Sequence, residues 1–261
     1  MPIAGAESRF AEMSFMPSKS VCPRHLVEAL ARSYGSWIGR SLVSARRVAA
    51  AGLIGVMICG FFAAAFPSVA SADATVKIVA LGDSLTAGYG LPGSAAFPAR
   101  LERALKAKGY AVEIVNAGVS GDTASGGLAR LDWSVPAGTH AVVLELGAND
   151  ALRGIDPKVT RKALTAIVAR LKARNIEILL CGMQAPPNLG AAYAQDFNAV
   201  FTDLADGLIF YPFFLDGIAA DRTLNQRDGV HPTSAGVDAI VKGILPKAEE
   251  LIRRVQSKQG A

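Results

Sequence analysis

The amino-acid sequence predicts an α/β protein with a parallel sheet sandwiched between helices in three layers. Three observations predict it. Short runs rich in Val, Ile and Leu recur beyond residue 73, stretches with apolar residues at helical spacing separate them, and segments rich in Gly, Ser, Asp and Asn follow several runs directly. Near-continuous apolar runs suit strands buried on both faces, and their alternation with helical patterns suits a parallel sheet.

The elements follow in order. Residues 76–81 read as the first strand, ending at Gly82-Asp83-Ser84-Leu85-Thr86, and 97–108 carry the first long helical pattern. Residues 112–115 read as the second strand, followed by Asn116-Ala117-Gly118-Val119-Ser120-Gly121-Asp122-Thr123. The third, 141–146, runs into Gly147-Ala148-Asn149-Asp150, and Pro157–Ala173 returns as a helix. Residues 176–180 make the fourth strand, Ala191–Leu204 a helix, 208–210 a weaker fifth strand, and a final helix runs from about 233 to 255. With no repeat, linker or low-complexity tract, residues 73–261 read as one domain on a five-stranded sheet.

The first 72 residues read differently. An uncharged run of 19 residues, 48–66, is preceded by Arg46 and Arg47 and followed by Pro67 and a string of small residues ending in Ala70-Ser71-Ala72. Those are the three parts of a secretory signal, with cleavage expected after Ala72 and a periplasmic or secreted destination. The alternative is an uncleaved anchor, because 19 apolar residues could just span a bilayer; either way the positive-inside rule places the rest outside the cytoplasm. Cys22 and Cys59 belong to this leader, so Cys181 is left without a partner for a disulfide, and its place at the end of an apolar run reads as a small buried hydrophobe.

The formal charge of +5 belongs mostly to the leader. Residues 1–72 hold seven Arg and Lys against three Glu, leaving 20 basic against 19 acidic residues in 73–261. A nearly neutral domain lacks the clustered positive charge that tracking phosphates demands, so nucleic-acid binding is excluded as a main function. A monomer acting on a small molecule is expected, touching a membrane only through the leader or through that molecule.

In open parallel sheets, sites gather beyond the carboxyl ends of the strands. There the three glycine-rich segments, read as loops, offer a hydroxyl, backbone amides and a carboxamide. Of the two histidines in the domain, His140 precedes the third strand and falls at the opposite end. His231 follows the fifth strand in Asp228-Gly229-Val230-His231-Pro232, where the chain can return to the strand ends. Asp228 is three residues upstream, a spacing that lets a carboxylate in a turn reach Nδ1 and aim Nε2 at a hydroxyl. Ser84 is the best-placed hydroxyl. Taken alone, Asp-x-x-His is equally a common turn.

Joined in order, Gly82-Asp83-Ser84-Leu85, Gly121, Gly147-x-Asn149-Asp150 and Asp228-x-x-His231 resemble the four motif blocks of the SGNH (GDSL) hydrolases. The likeness spans residues 78 to 251 and includes Gly127-Leu128-Ala129-Arg130-Leu131 and Leu144-Glu145-Leu146. It implies a flavodoxin-like α/β/α fold and a serine esterase using no metal and no cofactor. Ser84 would be the nucleophile, His231 the base and Asp228 its orienting carboxylate, with Ser84, Gly121 and Asn149 donating to the oxyanion. Acyl esters are the implied substrates: aryl esters, lysophospholipids and acyl thioesters. Leu85, Pro186, Pro187 and Leu189, with Leu91 and Leu128, are expected to make an apolar groove. The sequence departs from the pattern at Ala148, where relatives often carry glycine.

Two alternatives accompany this reading. A carbohydrate O-acetyl esterase would use the same residues, with Tyr89, Trp133 and Tyr193 as the aromatics near enough to stack on sugar rings. A non-enzymatic flavodoxin-like domain would hold phosphate or FMN in the same loops, but would leave Asp228 and His231 without a task.

Overall fold

The computed structural model describes residues 75–260, so the leader, its apolar run and the cleavage expected after Ala72 lie outside the described residues. Five strands form one parallel sheet: β1 (Val76–Gly82), β2 (Val112–Gly118), β3 (Ala141–Glu145), β4 (Glu177–Cys181) and β5 (Ile209–Tyr211). Their order is β2-β1-β3-β4-β5. The chain therefore starts near the middle, goes to one edge and crosses back, which puts the switch point between β1 and β3, where α/β sheets bind their ligands.

Burial follows position in the sheet. In β3 all five residues are buried and in β1 all but Lys77, whereas β2 alternates at its start and then opens to solvent. The expectation that β2 is covered on both faces is thus corrected: it is an edge strand, with Val115 exposed beside buried Ile114.

The long helices are α2 (Phe97–Ala107), α6 (Pro157–Ala173), α7 (Ala191–Leu204) and α8 (Ser234–Gln259). Helices α2 and α8 pack together on one face of the sheet, and α6 and α7 on the other. Helix α6 starts as its sequence directs, with Asp156 capping the Lys158 N–H and Pro157 at the first position. Helix α8 runs four residues past the expected end, carrying Pro246 inside it while Ile244, Ala248, Leu251 and Val255 stay buried.

Two of the three segments read as loops hold short helices, α1 (Ser84–Ala87) and α5 (Ala148–Leu152), while in the other residues 116–118 extend β2 and 119–123 turn into two further short helices, α3 (Ala124–Ala129) and α4 (Leu131–Ser134). Four to six residues are too few to show a helical period, so their sequences give only the turn signal.

Candidate active site

Ser84 opens α1 directly beyond β1. Asp83 caps this turn, its Oδ1 accepting the Leu85 N–H at 2.9 Å. Ser84 itself is at the first helical position, where a backbone N–H has no partner within the helix, and among the described residues nothing else accepts it. Gly82 is where it is for a steric reason: a Cβ there would come within 2.6 Å of Glu145 Oε2 and closer still to the Thr86 hydroxyl.

His231 arrives from the other end of the chain. Its backbone carbonyl accepts the Gln226 N–H at 2.7 Å, and Gln226 Nε2 donates to the carbonyls of Tyr89 and Pro232, tying this turn to the chain just after α1. The Tyr89 ring lies against the imidazole with centroids 4.4 Å apart. So held, His231 Nε2 is 2.9 Å from Ser84 Oγ, and His231 Nδ1 is 2.7 Å from Asp228 Oδ2.

Asp228 Oδ1 accepts the backbone N–H groups of His231 and Val230 at 3.0 and 2.9 Å. These two donors, His231 first, hold its carboxyl down at about 2, so it is an anion over the whole neutral range. An anion on Nδ1 favours the tautomer whose Nε2 is free to accept a proton.

Asn149 sits in α5, beyond β3. One N–H of its carboxamide donates to Asp83 Oδ2 at 3.0 Å, and the residue lines the cavity beside Ser84 and His231. Gly121 has φ +84, a conformation that favours glycine, and its N–H has no acceptor among the described residues. Its carbonyl accepts Arg153 Nη2 at 2.7 Å, which fastens the Gly121 turn to the end of α5. Gly121 itself is outside the lining of the cavity.

That cavity, about 480 Å³, opens against Ser84 and has mostly apolar walls. Leu85, Pro186 and Pro187 line it as expected, together with Leu152, Met183, Phe213, Leu215 and Val230, which sequence reasoning did not select. Leu189, Leu91 and Leu128 do not line it. For Leu189 the cause is the 3₁₀ turn Pro187–Leu189, in which successive side chains diverge by about 120°, so a turn presenting Pro187 directs Leu189 elsewhere. Of the aromatics expected near the site, Tyr89 is beside it, packed on His231, whereas Trp133 is 87% exposed on α4 and Tyr193 donates to the Ile155 carbonyl at 2.8 Å; none lines the cavity.

Two residues that sequence reasoning left without a role brace the site. Asp150 accepts the Ala124 N–H at 2.8 Å and the Thr160 hydroxyl at 2.9 Å, joining α5 to α3 and α6. Arg130 binds Asp122 at 2.6 Å and the carbonyls of Ala117 and Gly82 at 2.8 and 2.9 Å, clamping the ends of β2 and β1. His140 and Cys181 fall where expected: the His140 ring accepts the Lys77 N–H at the far edge, and Cys181 is buried in the core.

Fold and site together define an α/β/α protein of the SGNH hydrolase class, with a Ser–His–Asp chain of contacts spanning the carboxyl edge of a parallel sheet. The chain belongs to the GDSL-like lipase/acylhydrolase family, whose model matches residues 80–239. Among its relatives, it is 36% identical to esterase TesA of Pseudomonas aeruginosa over 182 residues, 69% of this chain and 90% of that one. It is 39% identical to thioesterase 1/protease 1/lysophospholipase L1 of Escherichia coli K12 over 184 residues, 69% and 87% of the two chains. Among solved structures it is similar to AlinE4, an SGNH-hydrolase family esterase, at 42% identity and TM-score 0.58, covering 68% of this chain and 96% of that one.

Proposed function

We propose that the protein is a serine esterase that hydrolyses acyl esters of aryl alcohols, lysophospholipids and thiols through an acyl-enzyme on Ser84. The observation that carries this reading is the unbroken contact from Ser84 Oγ through His231 to Asp228, at the mouth of an apolar cavity. Ser84 Oγ attacks the acyl carbonyl as His231 Nε2 takes its proton, and Asp228 stabilises the imidazolium that results. The carbonyl oxygen becomes an oxyanion, met by the free N–H groups of Ser84 and Gly121 and by the second N–H of Asn149. His231 then protonates the departing alkoxide or thiolate. A water activated by the same imidazole releases the acid and restores Ser84.

The wall composition supports acyl chains over sugars. The lining offers Leu85, Leu152, Met183, Phe213 and Leu215 to an alkyl or aryl group, and no side chain there carries a charge other than that of a protonated His231. An organophosphonate ester is expected to label Ser84 alone, and Ser84→Ala to lose hydrolysis of p-nitrophenyl esters; peptide mapping that found the label on Ser120 or Ser125 would sink the assignment. Export is proposed from the 48–66 run and Ala70-Ser71-Ala72, and N-terminal sequencing of the protein from its native host is expected to begin at Asp73.

A further inference from the structure

Behind the proposed catalytic residues lies a pair of carboxyl groups that the hydrolytic steps do not use. Glu145, the last residue of β3, and Asp83, just beyond β1, are both 0% exposed. Gly82 and Cys181 flank Glu145 in the sheet register. Neither carboxyl takes part in an ion pair among the described residues. Two buried carboxyls this close cannot both be charged without a cation to offset them.

Their hydrogen bonds differ. Both oxygens of Asp83 accept N–H groups, Oδ1 from Leu85 at 2.9 Å and Oδ2 from Asn149 at 3.0 Å. Glu145 receives the Thr86 hydroxyl at 2.7 Å and the Asp83 N–H at 3.4 Å, both on Oε2, while its buried Oε1 has no partner. A charge is better held by the group whose oxygens are both satisfied.

We propose that Glu145 carries a proton on Oε1 at neutral pH while Asp83 carries the charge, and that this division makes the pair a positioning device for Asn149 and the Ser84 turn. Ionised Asp83 holds one N–H of Asn149, which fixes the carboxamide plane and leaves the other N–H for the cavity. Its second oxygen fixes Leu85, and so the backbone of the residue before it. A charged Glu145 would force the proton onto Asp83 and cost one of these two acceptors.

The surrounding groups agree with this division. Burial, followed by the charge of Asp83, pushes Glu145 well above the usual carboxylate range. Asp83 is pushed up to about 6 by burial, against the pull of Leu85 and Asn149, with His231 lowering it and Asp122 raising it. The Asp122 carboxylate is itself paired with Arg130, and burial keeps the Cys181 thiol beside Glu145 neutral, so neither adds a free charge to the pair.

Infrared spectroscopy tests the proton's position without turnover, so it stands or falls separately from the hydrolytic reading. Wild-type protein at about pH 7 should show the carbonyl stretch of a buried carboxylic acid, lost in Glu145→Gln and kept in Asp83→Asn. Absence of that band in the wild type, or its loss in Asp83→Asn alone, overturns the proposal. Kinetics test the positioning. Glu145→Gln should keep kcat within about threefold, whereas Asp83→Asn should lower kcat about tenfold or more with KM within about twofold, the signature of a misplaced transition-state donor. The wild-type acid limb of kcat should be steeper around pH 6 than that of Asp83→Asn, whose amide cannot take up the proton. Limbs of equal steepness in the two proteins refute the role of Asp83.

Discussion

Replacing Asp228 by Asn isolates what the carboxylate does for His231. The amide oxygen can still accept the backbone N–H groups of Val230 and His231, so the turn should survive. The amide nitrogen, however, now faces His231 Nδ1 at the 2.7 Å contact and can only donate. The ring answers by moving its proton to Nε2, where it faces Ser84 Oγ and blocks the transfer on which attack depends. Restoring the working tautomer sets N–H against N–H, a cost of about 1–3 kcal/mol, and the charge-assisted bond that stabilises the imidazolium, worth about 1.5–3 kcal/mol, is gone as well. Together these give about 3–6 kcal/mol, or ~10²–10⁴ in rate. The Asp228 side chain is 41% exposed, so water replaces part of the lost stabilisation and the expected fall in kcat is toward the lower end, ~10²–10³. Steady-state kinetics on p-nitrophenyl butyrate, with circular dichroism to confirm the fold, measures it. A variant whose kcat stays within about threefold of wild type would refute the reasoning, because Nδ1 would then not need an acceptor.

Other outcomes follow from the same geometry. Asn149→Ala should fold normally and lose ~10²–10³ in kcat with little change in KM, since the amide meets a charge present in full only at the tetrahedral stage; a tenfold rise in KM at unchanged kcat would make Asn149 a substrate-binding residue instead. Asp83, raised to about 6 from an ordinary 3.8, binds a proton more tightly folded than unfolded. The stability it contributes is therefore present below about pH 4 and lost as pH rises through 6, so Tm should climb as pH falls from about 7.5 to 5, and Asp83→Asn should flatten that climb. Gly82→Ala should destabilise the fold by about 1–3 kcal/mol or more in denaturant titration, because its methyl would enter the space of the Thr86–Glu145 hydrogen bond.

The readable parts of the sequence are those where one physical signal dominates. Central strands declare themselves as unbroken apolar runs, and α6 and α7 match their expected bounds because an amphipathic period sustained over 14 or more residues has no competing reading. Ser84 and Asn149 were legible because each pairs a chemically distinctive side chain with a place just beyond a strand, and Asp228 and His231 because their spacing fits a turn ahead of the last helix. Glu145 was hidden for the opposite reason. Set between Leu144 and Leu146, it reads as one more position in a strand, and nothing in its neighbours tells that the carboxyl is buried. The cavity walls were partly missed because Met183, Phe213 and Leu215 come from segments beyond β4 and β5 that carry no motif; their position just after strands was the signal available. Trp133 and Tyr193 were misjudged because nearness in sequence to a site segment says little about which way a helix turns its side chains.

The contact between Ser84 and His231 spans 147 positions of the chain. One partner opens the short helix directly beyond β1, and the other is fixed by a turn that leads into the last helix. During synthesis, the hydroxyl would emerge long before the imidazole exists, so an incomplete chain lacks the base that the proposed mechanism assigns to His231. On the proposed mechanism, hydrolytic capacity therefore arrives only with the seating of the C-terminal helix and is lost whenever that helix detaches. Turnover is then a direct readout of whether the two ends of the domain are joined, and a cell making this protein holds no active fragment at any earlier point.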